Sequence, residues 1–262
     1  MFFYLSGMKT TLLFLSVFLS ATLFGQNVYI PDAIFKAYLV DNSQINTNGD
    51  TEIQVSEANT YTGGIFCYNL DIADVTGIEA FTALTLLYCE NNQLTSLDVS
   101  NNTALTELLC FGNQLTSLDV SNTALTYLNC QANQLTSLDV STNTALTTLS
   151  CYNNQLECLN VKNGNNTAFT FFKPDNNPNL TCIQVDDVTY STANWTQIDP
   201  QMYFSEDCNN DCSSSTVGTN ELTTSKNLIQ ILDMMGRETS FKANTPLIYV
   251  YDDGSIEKVF SV

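Results

Sequence analysis

The 262-residue sequence predicts a mainly β fold with minor α content. Its body is a solenoid, capped at both ends and followed by a small C-terminal β domain. Three observations predict it. First, one phrase is written four times, starting at Leu84, Leu105, Leu125 and Leu146, and the starts are 21, 20 and 21 residues apart. A fixed period in this range means stacked units, each burying its apolar edge against the next. Second, Leu87-Tyr88-Cys89 and its copies at 108–110, 128–130 and 149–151 alternate apolar positions as a short strand does. Third, LTSLDV in the second half of each unit also alternates and has no helical period, so extended or turn-like segments are expected there.

The common frame, L-x-x-L-x-C-x-x-N-x-L, resembles the leucine-rich-repeat pattern with cysteine at the third apolar position, and the resemblance implies a leucine-rich-repeat solenoid coiled as a right-handed superhelix. Asn92, Asn113, Asn133 and Asn154 form a column where the chain turns off the strand. A buried amide there can satisfy backbone groups that no strand partner reaches. Leu97 and Val99, Leu118 and Val120, and Leu138 and Val140 should face the core, with the aspartates between them facing out.

Taken in order, the chain opens with an export signal over 1–25. Lys9 precedes the apolar run Leu12–Phe24, which is short for a membrane span and ends at Gly25. The mature chain is expected to begin near Gln26 with no transmembrane segment. An N-terminal cap follows over 26–61. PDAIFKAYLV has apolar residues at helical spacing (Ile34, Phe35, Tyr38, Leu39), and Pro31 suits a first turn. The stretch from Asn46 to Glu57 resembles an EF-hand calcium loop: Asn46, Asn48, Asp50, the Glu52 carbonyl, Gln54 through water, and Glu57 fall on its ligand positions. The resemblance implies bound calcium. Two departures weaken it: the first ligand is Asn rather than Asp, and Thr51 stands where the turn wants glycine, a strain of about 1–2 kcal/mol.

The repeats occupy 62–161. Ile65-Phe66-Cys67 is expected to form the first strand of an irregular capping repeat, in which Leu70 stands at the asparagine position. Cys67, Cys89, Cys110, Cys130 and Cys151 share one inward column. Parallel side chains on strands about 4.8 Å apart hold their Cβ atoms too far apart for disulfides, so these read as buried thiols. One ligand per rung cannot close a metal tetrahedron either. Cys158, Cys182, Cys208 and Cys212 leave the column and should staple a C-terminal cap over 162–208. Cys182–Cys208 is the first choice of pair, with the pairing otherwise open. Trp195 and neighbouring aromatics should cover the last rung.

A polar linker, 209–225, leads to 226–262, which reads as strand, turn, strand and a hairpin turning at Asp253-Gly254. Its ILDMMGRE, PLIYVYDDG and Lys258-VFSV segments resemble the C-terminal sorting domain of type IX secretion substrates. That resemblance implies type IX machinery as a partner and release from, or attachment to, the outer surface of a Gram-negative bacterium.

Function follows from composition and from the columns. Eight basic against 27 acidic residues give a net charge of −19, which argues against nucleic acid or anionic membrane as partner. There is no histidine, which removes most general-base chemistry. On the concave face the outward columns are Phe66, Tyr88, Leu109, Asn129, Ser150; Tyr68, Glu90, Phe111, Gln131, Tyr152; and Leu86, Glu107, Tyr127, Thr148. Rings on a rigid face favour an interface. Tyr88, Glu90, Phe111, Tyr127, Gln131 and Tyr152 are the candidate binding residues for a protein or glycan ligand. The alternatives are a structural surface component without a discrete ligand, and a hydrolase using the Asp98, Asp119, Asp139 column.

Overall fold

The computed structural model describes residues 25–209 except 122, together with 212, 228–233, 237, 239, 246–251 and 256–260. The expected signal segment lies outside the described residues but for Gly25. Two compact units divide the chain, Met1–Ser214 and Ser215–Val262. Among the described residues no helix is long and apolar enough to cross a membrane.

The first unit is a leucine-rich-repeat solenoid. Its entrance is two short helices, α1 (Ala33–Asp41) and α2 (Val55–Thr60). Asp32 rather than Pro31 starts α1, because its carboxylate accepts the N–H groups of Ile34 and Phe35. The same side chain accepts the N–H groups of Ala73 and Asp74, 41 and 42 residues away, and so ties the cap to the first repeat. Phe35 and Leu39 are fully buried while Ile34 is exposed, so the apolar stripe of α1 is narrower than its spacing suggests.

Six three-residue strands form the concave sheet, in the order β1 (Gly64–Phe66), β2 (Leu86–Tyr88), β3 (Glu107–Leu109), β4 (Tyr127–Asn129), β6 (Thr148–Ser150) and β8 (Phe171–Lys173). All pairs are parallel and in register, so Ile65, Leu87, Leu108, Leu128, Leu149 and Phe172 stack. The first five of these are fully buried. The second half of the repeats forms a four-stranded convex sheet: β5 (Ser137–Asp139), β7 (Cys158–Asn160), β9 (Cys182–Gln184) and β10 (Tyr203–Ser205). As expected, these segments are extended rather than helical.

Three ladders hold the rungs in register. In the first, each asparagine amide donates to two carbonyls and accepts one N–H, or two at Asn92. Asn113 donates to the carbonyls of Cys89 and Cys110, and its oxygen accepts the N–H of Leu94. Asn92, Asn133, Asn154 and Asn177 repeat the arrangement. In the second, the hydroxyls of Thr106, Thr126, Thr147 and Thr170 donate to the carbonyl of the equivalent threonine one rung back. The third is the cysteine column. All five thiols are free and buried, and those of Cys89 and Cys130 point at the carbonyls of Leu109 and Ser150 on the next rung. Burial pushes the Cys67 and Cys130 thiols up to about 12 and the others well above the ordinary range, so they pack as small apolar groups.

Just before each ladder position the chain takes a left-handed residue: Asn69, Asn91, Gly112, Ala132, Asn153 and Asn176. Asparagine and glycine tolerate this conformation; alanine does not.

The concave sheet has one rung more than the five expected. The segment counted as pure cap, 162–208, carries a degenerate repeat in which Phe172 replaces the leucine, Pro174 the cysteine, and Asn177 completes the amide column. Beyond it α3 (Val188–Asn194) and Trp195 close the end. Trp195 is buried against Phe169, Phe172 and Phe204, with ring centroids 5.5, 4.3 and 5.8 Å away. Disulfides Cys182–Cys208 and Cys158–Cys212 staple this end. Cys212, placed by sequence in the linker, therefore belongs to the body.

The second unit is a three-stranded antiparallel meander of β11 (Leu228–Asp233), β12 (Pro246–Tyr251) and β13 (Ile256–Phe260). It matches the expected strand, turn, strand and hairpin. The turn at 253–254 lies outside the described residues.

Candidate functional site

Because the strands are in register, the outward side chains of the concave sheet form straight columns. One begins each strand: Gly64, Leu86, Glu107, Tyr127, Thr148, Phe171. The next is Phe66, Tyr88, Leu109, Asn129, Ser150, Lys173. Two residues later runs Tyr68, Glu90, Phe111, Gln131, Tyr152, Asp175, kept in step by backbone bonds such as Asn69 N–H to the Glu90 carbonyl and Asn91 N–H to that of Phe111. Six rungs at about 4.8 Å make a floor about 24 Å long.

All six candidate binding residues lie on this floor, half-buried. Rings at its two ends stand further out: Phe66, Tyr68 and Phe171 are 43, 46 and 47% exposed. The interior rings are therefore sheltered by their neighbours and held in place. Phe66 meets Tyr88 edge-on with centroids 5.0 Å apart. The Tyr88 hydroxyl donates to Glu107 Oε2 at 2.5 Å, and that carboxylate as acceptor holds the phenol up at about 12. Gln131 Oε1 accepts the Ser150 hydroxyl at 3.1 Å. The Lys173 ammonium lies 3.9 Å from the Tyr152 ring centroid, a cation–π contact. Glu90 Oε2 is buried and has no hydrogen-bond partner; burial raises its carboxyl above the ordinary glutamate range.

The candidate set did not include Glu107, Lys173 or Asp175. Glu107 was visible as a column member, but its link to Tyr88 needs side-chain geometry. The sixth rung was hidden because phenylalanine and proline replace the repeat's leucine and cysteine. The surviving signal was Asn177, 23 residues after Asn154, and Cys182, 24 after Cys158.

The calcium candidates converge on one loop, and their donor set is oxygen-rich as such an ion requires. The side-chain oxygens among them are already engaged. Glu57 Oε1 accepts the N–H groups of Thr47 and Asn48 and the Thr47 hydroxyl, while its Oε2 accepts the Gln54 N–H. Asp50 Oδ2 receives the amides of Asn48 and Gln54, at 3.0 and 2.9 Å. Asn46 Oδ1 accepts the Gly49 N–H, Asn48 Oδ1 the Asp50 N–H, and Gln54 Oε1 the Asn48 amide. An ion would replace these bonds rather than add to them. The strain expected at Thr51 is absent, because the left-handed residue of this loop is Gly49. Among the described residues no three His, Cys, Asp or Glu side chains form a metal-holding group.

The convex aspartates are turn formers. Asp98, Asp119 and Asp139 accept the N–H groups of Ser100, Ser121 and Ser141 two residues on, and the Ser100 hydroxyl and backbone hold the Asp98 carboxyl low.

No family model matches the chain. A stretch of 36 residues is 56% identical to internalin J of Listeria monocytogenes, covering 14% of this chain and 4% of that protein. The solved functional domain of InlJ from Listeria monocytogenes, described as including a cysteine ladder, is 37% identical with a TM-score of 0.48; the alignment covers 61% of this chain and 38% of that one. The Listeria monocytogenes internalin InlF is 19% identical with a TM-score of 0.47, covering 71% of this chain and 59% of that one. The chain thus spans well under half of the internalin J sequence and of its solved domain.

Proposed function

We propose that this leucine-rich-repeat chain is a non-catalytic, exported recognition protein that binds a partner protein through its concave face. One observation carries the reading: Tyr88, Phe111, Tyr127 and Tyr152 stand half-buried on successive rungs of a rigid sheet. Sheltered rings that lose little freedom on contact are what interface anchors are made of. A floor about 24 Å long suits a peptide, a loop or an oligosaccharide better than a large flat partner. Two disulfides support passage into an oxidising compartment. The type IX reading of 226–262 rests on its sequence resemblance. Its test is deletion of 226–262, which should leave the repeat body folded but retained in the periplasm; normal surface delivery of the truncated chain defeats it.

The binding test begins with capture from surface extracts, followed by affinity measurement on the partner recovered. Phe111→Ala and Tyr127→Ala should each weaken binding by about 1–3 kcal/mol, with little change in melting temperature. The convex Asp119→Ala should leave binding intact. Silent concave substitutions beside a damaging convex one overturn the reading. Concave alanines that unfold the protein favour the alternative, a structural surface component whose rings only cover one another, as the Phe66–Tyr88 contact does in part.

A further inference from the structure

The concave face carries charge as well as rings, and its charge is unbalanced. Residues 25–212 contain 21 aspartates and glutamates but only three lysines. Lys36 is paired with Glu52, Lys162 donates to the carbonyl of Glu206, and Lys173 lies on Tyr152. On rungs two and three, two carboxylates flank Tyr88. Glu107 holds the phenol hydroxyl. Glu90 sits in the column between Tyr68 and Phe111, and its Oε2 is buried with no donor. A carboxylate oxygen withdrawn from water without a partner is unfavourable until a cation or donor reaches it. At the other end of the floor, Lys173 shows that a ring of this column takes a cation on its face.

We propose that rungs two and three form a subsite for a lysine or arginine side chain carried on an extended basic segment of the partner protein. The cationic head pairs with the Glu90 carboxylate, and the aliphatic stem lies along Phe111 and Tyr88. The inference rests on the concave face being a recognition surface and names the chemistry that the surface selects. The acidic body draws such a segment from a distance, and the unpartnered oxygen fixes where its charge ends.

The probe is a fluorescein-labelled decapeptide of alternating arginine and serine, beside matched peptides with glutamine or glutamate in place of arginine. Anisotropy is read at 0.15 M and 0.5 M salt on the full chain, with melting curves as the folding control. The arginine peptide should bind at least tenfold tighter than either counterpart. Glu90→Gln should weaken it about tenfold, Glu90→Asp less, and Phe111→Ala comparably to Glu90→Gln. A convex triple variant, Asp98→Asn with Asp119→Asn and Asp139→Asn, should change binding less than twofold. If that triple variant loses as much as Glu90→Gln, the attraction is general and the subsite is refuted. If the glutamine peptide binds as well as the arginine peptide and both respond to Phe111→Ala, the recognition surface stands and the cation subsite falls. If no peptide responds to either concave substitution, the cation subsite falls, and the recognition surface is decided separately by the captured partner's response to Phe111→Ala and Tyr127→Ala.

Discussion

Asn133→Ala removes one member of the buried amide column, and the structure sets the size of the loss. The Asn133 amide donates to the carbonyls of Cys110 and Cys130 at 3.0 and 3.1 Å, and its oxygen accepts the N–H of Leu115 at 3.0 Å. The two carbonyls are doubly served: Asn113 still reaches Cys110 and Asn154 still reaches Cys130. Leu115 N–H has no such reserve. Alanine therefore orphans one buried donor, at about 1–3 kcal/mol, and removes two supplementary bonds at about 0.5 kcal/mol each. The expected loss is about 2–4 kcal/mol, a large share of the stability of an ordinary domain. Asn133→Asp preserves the acceptor but turns a carboxylate toward two carbonyls. It should be worse than alanine at neutral pH and recover on acidification as the carboxyl gains a proton. Urea unfolding followed by circular dichroism at pH 7 and pH 4 measures both. The exposed Thr136→Ala serves as control. A loss below about 1 kcal/mol for Asn133→Ala, or an aspartate variant no worse than alanine, refutes the claim that the amide column holds the rungs together.

Ala132→Gly relieves a left-handed alanine, φ 52°, and should raise stability by about 0.5–1 kcal/mol in the same urea assay, net of the added freedom of the unfolded chain; Ala132→Asn should do likewise. Glu90→Gln should raise the melting temperature at neutral pH. The folded carboxyl is held above its unfolded value, so between those two values the folded state binds more protons and stability falls as pH rises. The gain of the variant should therefore open as pH climbs through that window and vanish at about pH 3.5, below the ordinary glutamate value; an equal gain at both ends rejects burial as the cause. If the Asn46–Glu57 loop takes calcium, millimolar calcium should raise the melting temperature by mass action on the folded state, and Glu57→Gln should abolish the response. A curve unchanged from chelator to millimolar calcium leaves the loop as a hydrogen-bonded cap.

Periodicity made the body legible. Residues repeated at a fixed interval meet the same neighbours, so the buried leucines, the thiol column and the asparagine column could all be placed from spacing alone. Legibility failed where a repeat changed its residues but not its shape. Phe172 and Pro174 fill the leucine and cysteine places of the sixth rung, and the pattern survives only in scattered members such as Thr170, Asn177 and Cys182. The N-terminal loop is the opposite case. Its residues match a calcium loop in kind, yet Glu57 spends both oxygens on backbone donors and the sharp turn falls at Gly49 rather than at Thr51. On the concave face the columns were readable because register follows from the repeat. The unpaired oxygen of Glu90 and the Tyr88–Glu107 bond were not, since both depend on rotamers that no spacing encodes.

The Cys158–Cys212 bond spans 54 residues and leaves the body just before the C-terminal unit begins. Were the chain tethered by that unit and pulled, tension entering at Cys212 would cross the sulfur bridge to Cys158 and pass onward along the repeats. Residues 159–211, with the sixth rung, Trp195 and the second disulfide, would hang as an unloaded loop outside the line of force. The four copies and the N-terminal cap would bear the strain and peel rung by rung, while the aromatic end remained folded. The staple that completes the solenoid is thus also a mechanical bypass.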